Sequence, residues 1–530
     1  MSRQVSDEAP DWWRDAVLYH VYVRSFADSD GDGVGDLPGL TGRLDHLSWL
    51  GVNAIWLSPT SVSPDADFGY DVSDYRRVQP SLGGDVALDA LIATAHERGI
   101  RVLLDLVPNH TSVEHSWFVE ARAGRGAPRR DWYVWADGRG AAPPNNWLSD
   151  FRERGLPRSA WTFDPPSGQW YLSSFLPEQV DLNWRNPAVR DEFFDILASW
   201  FARGADGVRV DVAHKLVVDD RLRDNPSLHP DDDPVSRQRG QRQLMNAERP
   251  ELHDILRSWR RLADSLDPPR LLLGETYVGA VERLAPFYGA GDELQLALNI
   301  PFLRTPLTAA AMRTTVDATL AALPPRAWPL WCGSSHDDGH LASRWCGGDQ
   351  ALARCALLLL LTLRGTPLLY YGDEIGMTDV EVPANRRRDR GGRRDPARTP
   401  MQWSAQPGGG FTRPGVTPWL PLGDCTRNSV AGQRADPHST LCLCHDLLAA
   451  RADRDELRRG EMTWLASPEG VLAWRRGTAH AIAVNLTDGL VEVSGISGRV
   501  VVATDGGRAG ESLPGRTLLA PRSGLLADLG

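Results

Sequence analysis

The sequence predicts an α/β protein: a (β/α)8 TIM barrel with an inserted domain after strand 3 and a C-terminal antiparallel β-sandwich. Three observations predict this fold. Eight short apolar runs alternate with helix-like stretches, one long stretch interrupts the alternation, and from residue 454 the pattern changes to short strands separated by turn residues. At 530 residues the chain is also too long for one ordinary core, so more than one domain is expected.

Each predicted barrel strand is a short apolar run, and most are followed by a helix-like stretch. The strands are expected at 17–23, 54–58, 102–107, 207–212, 271–275, 294–300, 329–333 and 367–372. The helix-like stretches include 86–97, 189–201, 252–266, 306–323 and 350–363. Eight such alternations in one chain indicate a closed barrel rather than an open sheet.

The two breaks in this pattern predict the domain boundaries. Residues 109–180 are rich in Trp, Arg, Gly and Pro and are too many for an ordinary loop, which indicates an inserted domain. Short strands at 471–474, 481–486, 490–493 and 499–503 predict the C-terminal β-sandwich. We therefore divide the chain into the first part of the barrel (1–108), the inserted domain (109–180), the second part of the barrel (181–453) and the C-terminal domain (454–530).

Composition limits the partners and the compartment. The formal net charge of −11 argues against nucleic acid or an anionic membrane surface. No apolar run approaches the ~20 residues of a membrane span. The N-terminal segment 1–15, MSRQVSDEAPDWWRD, lacks an apolar signal core. We expect a cytoplasmic protein that acts on a small neutral or cationic molecule, and the oligomeric state is left open.

Three carboxylates lie near the C-terminal ends of predicted strands: Asp211, Glu275 and Asp337. Catalytic groups of a (β/α)8 barrel come from that end of several different strands. Retaining hydrolysis of a glycosidic bond needs a carboxylate nucleophile and a second carboxyl group that acts first as acid and then as base. The 20 tryptophans agree with a sugar ligand, because aromatic faces suit the apolar C–H patches of sugar rings.

Nine motifs in order resemble the α-amylase family of glycoside hydrolases, most closely its α-glucosidase and oligo-1,6-glucosidase branch. They are VLYHVYVRSFADSDGDGVGDLPGL (17–40), GYDVSDY (69–75), DLVPNH (105–110), QVDLNW (179–184), GVRVDVAH (207–214), LGET (273–276), SHD (335–337), GTPLLYYGDEIGM (365–377) and RDPARTPMQW (394–403). The resemblance covers nearly the whole chain. It implies the same barrel, insertion and β-sandwich that the patterns predict.

The resemblance implies a role for each carboxylate. Asp211 would be the nucleophile that forms a covalent glucosyl-enzyme, and Glu275 the general acid/base, protonated at the start by burial and like-charge neighbours. Asp337 would bind ring hydroxyls and favour distortion of the sugar. Arg209, two residues before Asp211 and on the same strand face, would hold the nucleophile ionised.

The resemblance also implies a pocket for one terminal glucose. His110 and His336 would donate hydrogen bonds to its hydroxyls. Tyr70 would stack on the ring and Asp71 would bind its hydroxyls.

Two arginines are expected at the far end of that pocket. By the resemblance, Arg398 and Arg394 would close it, which selects a terminal glucose. The remaining arginines of 386–398 are expected to form a solvated basic loop.

Two residues depart from the family pattern. Ser335 stands where the family usually has Asn before the last His-Asp pair, and His340 stands where an Arg often follows. Neither is one of the three carboxylates, so the chemistry is expected to survive. Contacts to the sugar and its acceptor are put in doubt, and the substrate could differ from the usual maltosides.

A calcium site is predicted in the loop DSDGDGVGD at 28–36, where acidic side chains alternate with other residues and glycines permit a tight backbone. The loop matches the calcium loop of the oligo-1,6-glucosidase branch. By that match the ligands are the side chains of Asp28, Asp30, Asp32 and Asp36 and the carbonyl of Val34. A solvated acidic turn is the alternative, and magnesium fits less well because it keeps more of its waters.

The leading hypothesis is a retaining exo-α-glucosidase that hydrolyses terminal α-linked glucose from short α-glucosides. A transglucosidase or a disaccharide isomerase of the sucrose or maltose type would use the same glucosyl-enzyme with a sugar acceptor. A catalytically inactive binding module is the third hypothesis, and retention of all three carboxylates argues against it. Linkage preference is open, because Val212 resembles α-1,6 enzymes and Ala213-His214 resembles α-1,4 enzymes.

Overall fold

The computed structural model of the protein describes residues 11–152, 155–391 and 393–530. Segment 1–10, on which the predicted location partly rests, lies outside the described residues. Eight strands form one parallel sheet: Leu18–Val21, Ala54–Leu57, Arg101–Leu106, Gly207–Val210, Leu271–Gly274, Leu296–Ala297, Leu330–Cys332 and Thr366–Tyr370. These are the eight predicted barrel strands, most of them shorter than predicted.

The strand order makes the sheet a barrel. Strands that follow one another in the chain lie side by side from the first to the sixth, and the eighth lies between the first and the seventh. Leu18 on the first strand, for example, pairs with Ala54 on one side and with Leu368 on the other. The barrel residues are almost all buried, as expected for parallel strands covered by helices. All eight strands end at the same rim, and the cavity described below opens there.

The longer helices are Gly84–Glu97, Pro187–Ala202, Leu252–Asp264, Ala309–Ala322, Gln350–Thr362 and Thr440–Asp453. Shorter ones are Leu37–Thr41, Leu44–Leu50, Ser116–Arg122, Pro234–Arg239, Val281–Leu284, Ile300–Arg304, Leu341–Arg344, Val430–Arg434 and Asp455–Arg459. Local signals set their starts: Asn186 caps Pro187–Ala202 by accepting from the Ala188 N–H. Among the described residues, no helix is long and apolar enough to span a membrane.

The insertion after the third barrel strand is a small β-rich unit. Its two ends pair with each other, strand His110–Ser112 against strand Gln179–Asp181. Between them lies a three-stranded antiparallel sheet of Trp135–Ala136, Trp161–Asp164 and Gln169–Leu172. The paired ends hold His110 and Gln179 beside the barrel rim.

The predicted antiparallel C-terminal domain is present. Its strands, in spatial order, are Met462–Trp464, Val471–Arg476, His480–Asn485, Ser523–Leu529, Val491–Ala503 and Ser512–Leu519. The predicted strands 490–493 and 499–503 are parts of one strand, Val491–Ala503, whose pairing shifts register at Gly495 and again near Val501. One face of the sheet packs on helix Gln350–Thr362, which is why that helix is apolar over most of its surface.

Candidate active site

A cavity of about 450 Å³ opens at the C-terminal rim of the barrel. Asp211 directly follows the fourth strand and Glu275 the fifth, and Asp337 lies in the loop after the seventh. All three carboxylates line the cavity, together with the predicted Tyr70 and His110. The structure therefore brings together at one site three acids that are spread over about 130 residues of the sequence.

Arg209 bridges the first two carboxylates. Its Nη1 lies 2.5 Å from Asp211 Oδ1, and its Nη2 lies 3.0 Å from Glu275 Oε2. The side chain is 1% exposed, so these contacts are little screened by water. Burial raises the pKa of Asp211 well above its usual range, and the positive charge of Arg209 opposes that rise. Arg209 therefore contacts Asp211, and its role of holding that carboxylate ionised stays a prediction.

Val212, directly after Asp211, has a strained backbone. Its φ of 45° lies in the left-handed region, which is rare for a β-branched residue. In that conformation its N–H donates to Glu275 Oε2 over 2.9 Å. The backbone after Asp211 therefore helps to hold the Glu275 carboxyl group in place.

Asp105, to which the sequence reasoning gave no role, completes this buried cluster. On the third barrel strand, it accepts hydrogen bonds from Arg209 Nη1 (3.0 Å), Trp56 Nε1 (3.1 Å) and the Tyr70 hydroxyl (3.2 Å). Burial raises its pKa to about 7. An acidic residue within the apolar run 102–107 is the signal that could have found it.

The sugar-binding residues predicted at the inner end of the cavity contact one another. The Tyr70 hydroxyl lies 2.9 Å from His336 Nε2, and His110 Nε2 lies 2.8 Å from the Tyr70 carbonyl oxygen. Burial lowers the pKa of His110 to about 4 and that of His336 well below its usual range. Both imidazoles are therefore neutral at pH 7. Gln179, which the sequence reasoning missed, lines the cavity with its Nε2 3.0 Å from His110 Nε2.

The structure corrects the prediction for Asp71. This side chain is fully buried outside the cavity lining and accepts from Ser63 Oγ (2.8 Å) and from the N–H groups of Ala66 and Asp67 (2.9 Å each). Its carboxylate is therefore already occupied by protein donors. Asp67 lines the cavity in its place.

The two predicted arginines lie on the same side of the cavity but differ in role. Arg394 lines the cavity, and its Nη2 is 2.5 Å from Asp67 and 2.6 Å from Asp389. Arg398 is fully buried and lies outside the cavity lining, where its Nη2 donates to Asp337 Oδ1 over 2.8 Å. Arg394 is thus part of the cavity wall, whereas Arg398 contacts Asp337 from outside the lining. Closure of the pocket by these arginines stays a prediction.

Aromatic and apolar side chains form part of the cavity wall: Phe151, Phe175, Val212 and Tyr277. The Phe151 ring centroid lies 4.6 Å from the Arg394 guanidinium, and the ring centroids of Phe175 and His110 lie 5.2 Å apart. The guanidinium of Arg304 lies 4.9 Å from the ring centroid of Tyr277, within cation–π range.

The two departures from the family pattern do not disturb the carboxylates. Ser335 Oγ accepts from the N–H groups of Asp337 (3.2 Å) and Asp338 (3.0 Å), so a short hydroxyl forms the turn that presents Asp337. His340 is fully buried, does not line the cavity and bonds Asp379 instead. His340 therefore makes no direct contact with the space inside the cavity.

The acidic loop 28–36 brings three of its four predicted side-chain ligands together. Carboxylate oxygens of Asp28, Asp30 and Asp36 lie within 4.8 Å of one another. Asp32 is outside this group, and its Oδ1 accepts from the Val34 N–H over 2.7 Å. Gly33 has a φ of 94°, and a Cβ there would lie 2.4 Å from the Thr417 carbonyl oxygen. Three carboxylates on such a tightly folded loop fit a hard cation.

Comparison with known proteins assigns the family. The protein-family model described as "Alpha amylase, catalytic domain" matches residues 20–460 of this chain. The chain therefore belongs to the alpha-amylase family of glycoside hydrolases.

Similar proteins place it in the α-glucosidase and oligo-1,6-glucosidase branch. The "Probable alpha-glucosidase" of Rhizobium meliloti is 38% identical over 489 residues, which are 88% of this chain and 87% of that protein. The "Oligo-1,6-glucosidase" of Halalkalibacterium halodurans is 33% identical over 495 residues, 85% of each chain. Among solved structures, the "alpha-glucosyl transfer enzyme, XgtA" has a TM-score of 0.90 and 37% identity, and the match covers 98% of this chain and 99% of that one.

Proposed function

We propose that the protein is a retaining exo-α-glucosidase that releases terminal α-linked glucose from short α-glucosides. One observation carries the proposal: the guanidinium of Arg209 contacts both Asp211 and Glu275, and these two carboxylates line the same cavity as the Asp67–Arg394 ion pair. The first part supports the retaining mechanism, and the second supports the exo mode.

A shared guanidinium keeps two carboxyl groups near each other, which suits the ~5–5.5 Å separation of a retaining pair. In the first step Asp211 attacks the anomeric carbon, Glu275 gives its proton to the glycosidic oxygen, and the bond to the aglycone breaks. In the second step water attacks the same carbon while Glu275 takes one of its protons. The glucosyl–Asp211 ester bond breaks as the bond to water forms, and glucose leaves with its original α configuration.

The inner half of the cavity supports binding of a single terminal glucose. The rings of Tyr70 and His336 stack on each other with their centroids 5.6 Å apart, and together they offer an aromatic surface. Neutral His110 and His336 line this cavity without adding charge to it. In this proposal the Asp67–Arg394 ion pair leaves no room for a further sugar on the non-reducing side of the bound glucose. A longer glucan could therefore enter only by its non-reducing end.

Transfer to a sugar acceptor, as in a transglucosidase or a sucrose or maltose isomerase, is the second candidate. The printed name of XgtA, an alpha-glucosyl transfer enzyme, favours it. Both candidates share the glucosyl–Asp211 intermediate. They differ in whether water or an acceptor hydroxyl reaches it.

We also propose that loop 28–36 holds a structural Ca²⁺. The side chains of Asp28, Asp30 and Asp36 would be ligands, with Asp32 and the Val34 carbonyl as the further predicted ones. The ion would neutralise the clustered carboxylates and tie the loop together. It takes no part in the reaction.

A proton NMR time course with maltose, isomaltose, sucrose and trehalose tests the function. Early release of α-glucose from at least one of them is expected, and new disaccharides would instead indicate transfer. Asp211→Asn is nearly isosteric, so it should lower turnover by at least about 10³-fold and leave circular dichroism unchanged. Asp45→Asn, at an exposed carboxylate on Leu44–Leu50, is the matched control and should remain fully active. Activity retained in Asp211→Asn would refute the nucleophile assignment.

A further inference from the structure

The loop that carries His336 and Asp337 is docked on the loop after the eighth barrel strand by several polar contacts. Arg398 donates to Asp337 and to the His336 carbonyl oxygen, as part of the site described above. Ser334 Oγ donates to Asp373 Oδ1 over 2.6 Å. His340, at the far end of the same loop, makes the remaining contacts, and the proposed mechanism gives it no role.

Both ring nitrogens of His340 face hydrogen-bond acceptors. Nδ1 lies 2.8 Å from Asp379 Oδ1, and Nε2 lies 3.2 Å from the Tyr371 carbonyl oxygen. A carboxylate and a carbonyl accept hydrogen bonds and do not donate them, whereas a neutral imidazole carries only one N–H. Both contacts are hydrogen bonds only when His340 is doubly protonated and positively charged.

The surroundings of His340 favour that charge. The side chain is fully buried, and the titratable and charged groups around it are Asp379, Asp373, Tyr370, Tyr371 and Arg344. Burial alone would lower the pKa of His340, but the hydrogen bond to Asp379 and the charges of Asp379 and Asp373 raise it above 6.5. The Arg344 guanidinium is directed to the carbonyl oxygens of Leu303 and Gly333.

We propose that His340 is a positioning residue, a buried imidazolium cation that fixes the loop carrying His336 and Asp337 against the loop after the eighth strand. The importance of this loop for catalysis rests on the proposed function, but the protonation state of His340 does not. Where an Arg often stands in the family pattern, this chain supplies a positive charge that titrates.

The sign of the pH effect follows from the direction of the pKa. A group whose folded-state pKa is raised is charged below that pKa and loses its charge as pH rises through it. Neutral His340 would face either Asp379 or the Tyr371 carbonyl with a lone pair, and the loop would loosen. The catalytic efficiency kcat/KM should therefore fall as pH rises. The alkaline limb of its pH profile should follow the titration of His340.

The protonation state can be measured by NMR of the full chain labelled with ¹⁵N-histidine, with His340 assigned by its loss in His340→Gln. We expect both nitrogens to carry hydrogen at pH 7, with the titration midpoint on the alkaline side of that pH. Asp379→Asn removes the carboxylate and should move that midpoint to lower pH. His480→Gln is the matched control, because the His480–Asp528 pair has the same 2.8 Å contact in the C-terminal sheet.

The pH profile of kcat/KM tests the positioning role. Asp379→Asn should shift the alkaline limb in the same direction as the NMR midpoint, and His480→Gln should leave it in place. A singly protonated His340 at pH 7, or a midpoint that Asp379→Asn does not move, would overturn the proposal. Because the NMR measurement needs no substrate, an enzyme that fails on every α-glucoside would refute the proposed function without deciding the state of His340.

Discussion

Asp67 and Asp71 lie four residues apart, but only Asp67 reaches the cavity. Between them Phe68 and Gly69 both have positive φ, 51° and 101°, so the chain reverses and the two carboxylates face different surroundings. A positive φ at Phe68 could not be read from the sequence, because bulky residues rarely adopt it. The motif at 69–75 contains Asp71 but begins after Asp67, so it led to the aspartate that lies outside the cavity lining.

The different environments of the two aspartates predict different effects of the same substitution. Asp67→Asn should lower kcat/KM for an α-glucoside by about 10–100-fold, since a charge-assisted hydrogen bond contributes about 1.5–3 kcal/mol. The melting temperature should change little, because Asp389 still pairs with Arg394. An unchanged kcat/KM in Asp67→Asn would remove Asp67 from the sugar site.

Asp71→Asn is the matched variant. Its amide N–H₂ group would meet at least one of the three donors that now point at the carboxylate, which costs about 1–3 kcal/mol of unfolding free energy. The melting temperature should fall, and thermal melts of the two variants side by side would show the contrast.

At the scale of elements, loop 28–36 illustrates what spacing alone can and cannot predict. Alternating acids with glycines correctly indicated that several carboxylates converge. The hydrogen bond from the Val34 N–H to Asp32 depends on the path of the backbone. The spacing of the acids therefore could not predict that Asp32 lies outside the cluster of three.

Removal of calcium should destabilise the protein without changing its chemistry. At a concentration one hundred times Kd, a ligand bound only by the folded state adds about 2.7 kcal/mol to the free energy of unfolding. We expect EDTA to lower the melting temperature by several degrees and added Ca²⁺ to restore it. Asp30→Asn should abolish this response, and Asp32→Asn decides whether Asp32 is a ligand. A melt that EDTA leaves unchanged in the wild-type protein would contradict the calcium proposal.

Strand Val491–Ala503 shows a second limit of the pattern. Alternation predicted two strands with a turn between them, because Gly495, Gly498 and the polar residues around them resemble a turn. In the structure Gly495, with a φ of 86°, is instead the extra residue where the pairing with Ser512–Leu519 shifts register. A glycine that forms a bulge and one that forms a turn have the same local signature.

At the scale of the whole molecule, the barrel was predictable because its strands are short apolar runs with helices between them, and parallel strands need such crossovers. The convergence of Asp211, Glu275 and Asp337 follows, since each comes after the C-terminal end of a barrel strand. The packing of the C-terminal sheet on the barrel was not predictable, because it depends on long side chains that bond backbone groups and follow no periodic pattern.

Arg476 is such a side chain, and it predicts how the two parts stabilise each other. On strand Val471–Arg476, fully buried, it donates from Nη1 to the carbonyl oxygens of Thr362 (2.7 Å) and Leu363 (2.8 Å) at the C-terminal end of helix Gln350–Thr362. The last carbonyls of a helix lack partners within the helix, so they need donors from elsewhere. A cation at this end also interacts favourably with the negative end of the helix dipole.

Arg476→Ala should therefore lower the melting temperature by several degrees, because each buried carbonyl left without a donor costs about 1–3 kcal/mol. The rate constant kcat at 25 °C should be unchanged, since Arg476 does not line the cavity. Arg475→Ala, at the exposed neighbour on the same strand, is the control and should melt like the wild type. Equal melting temperatures for the two variants would show that the sheet is held to the barrel by its apolar face alone.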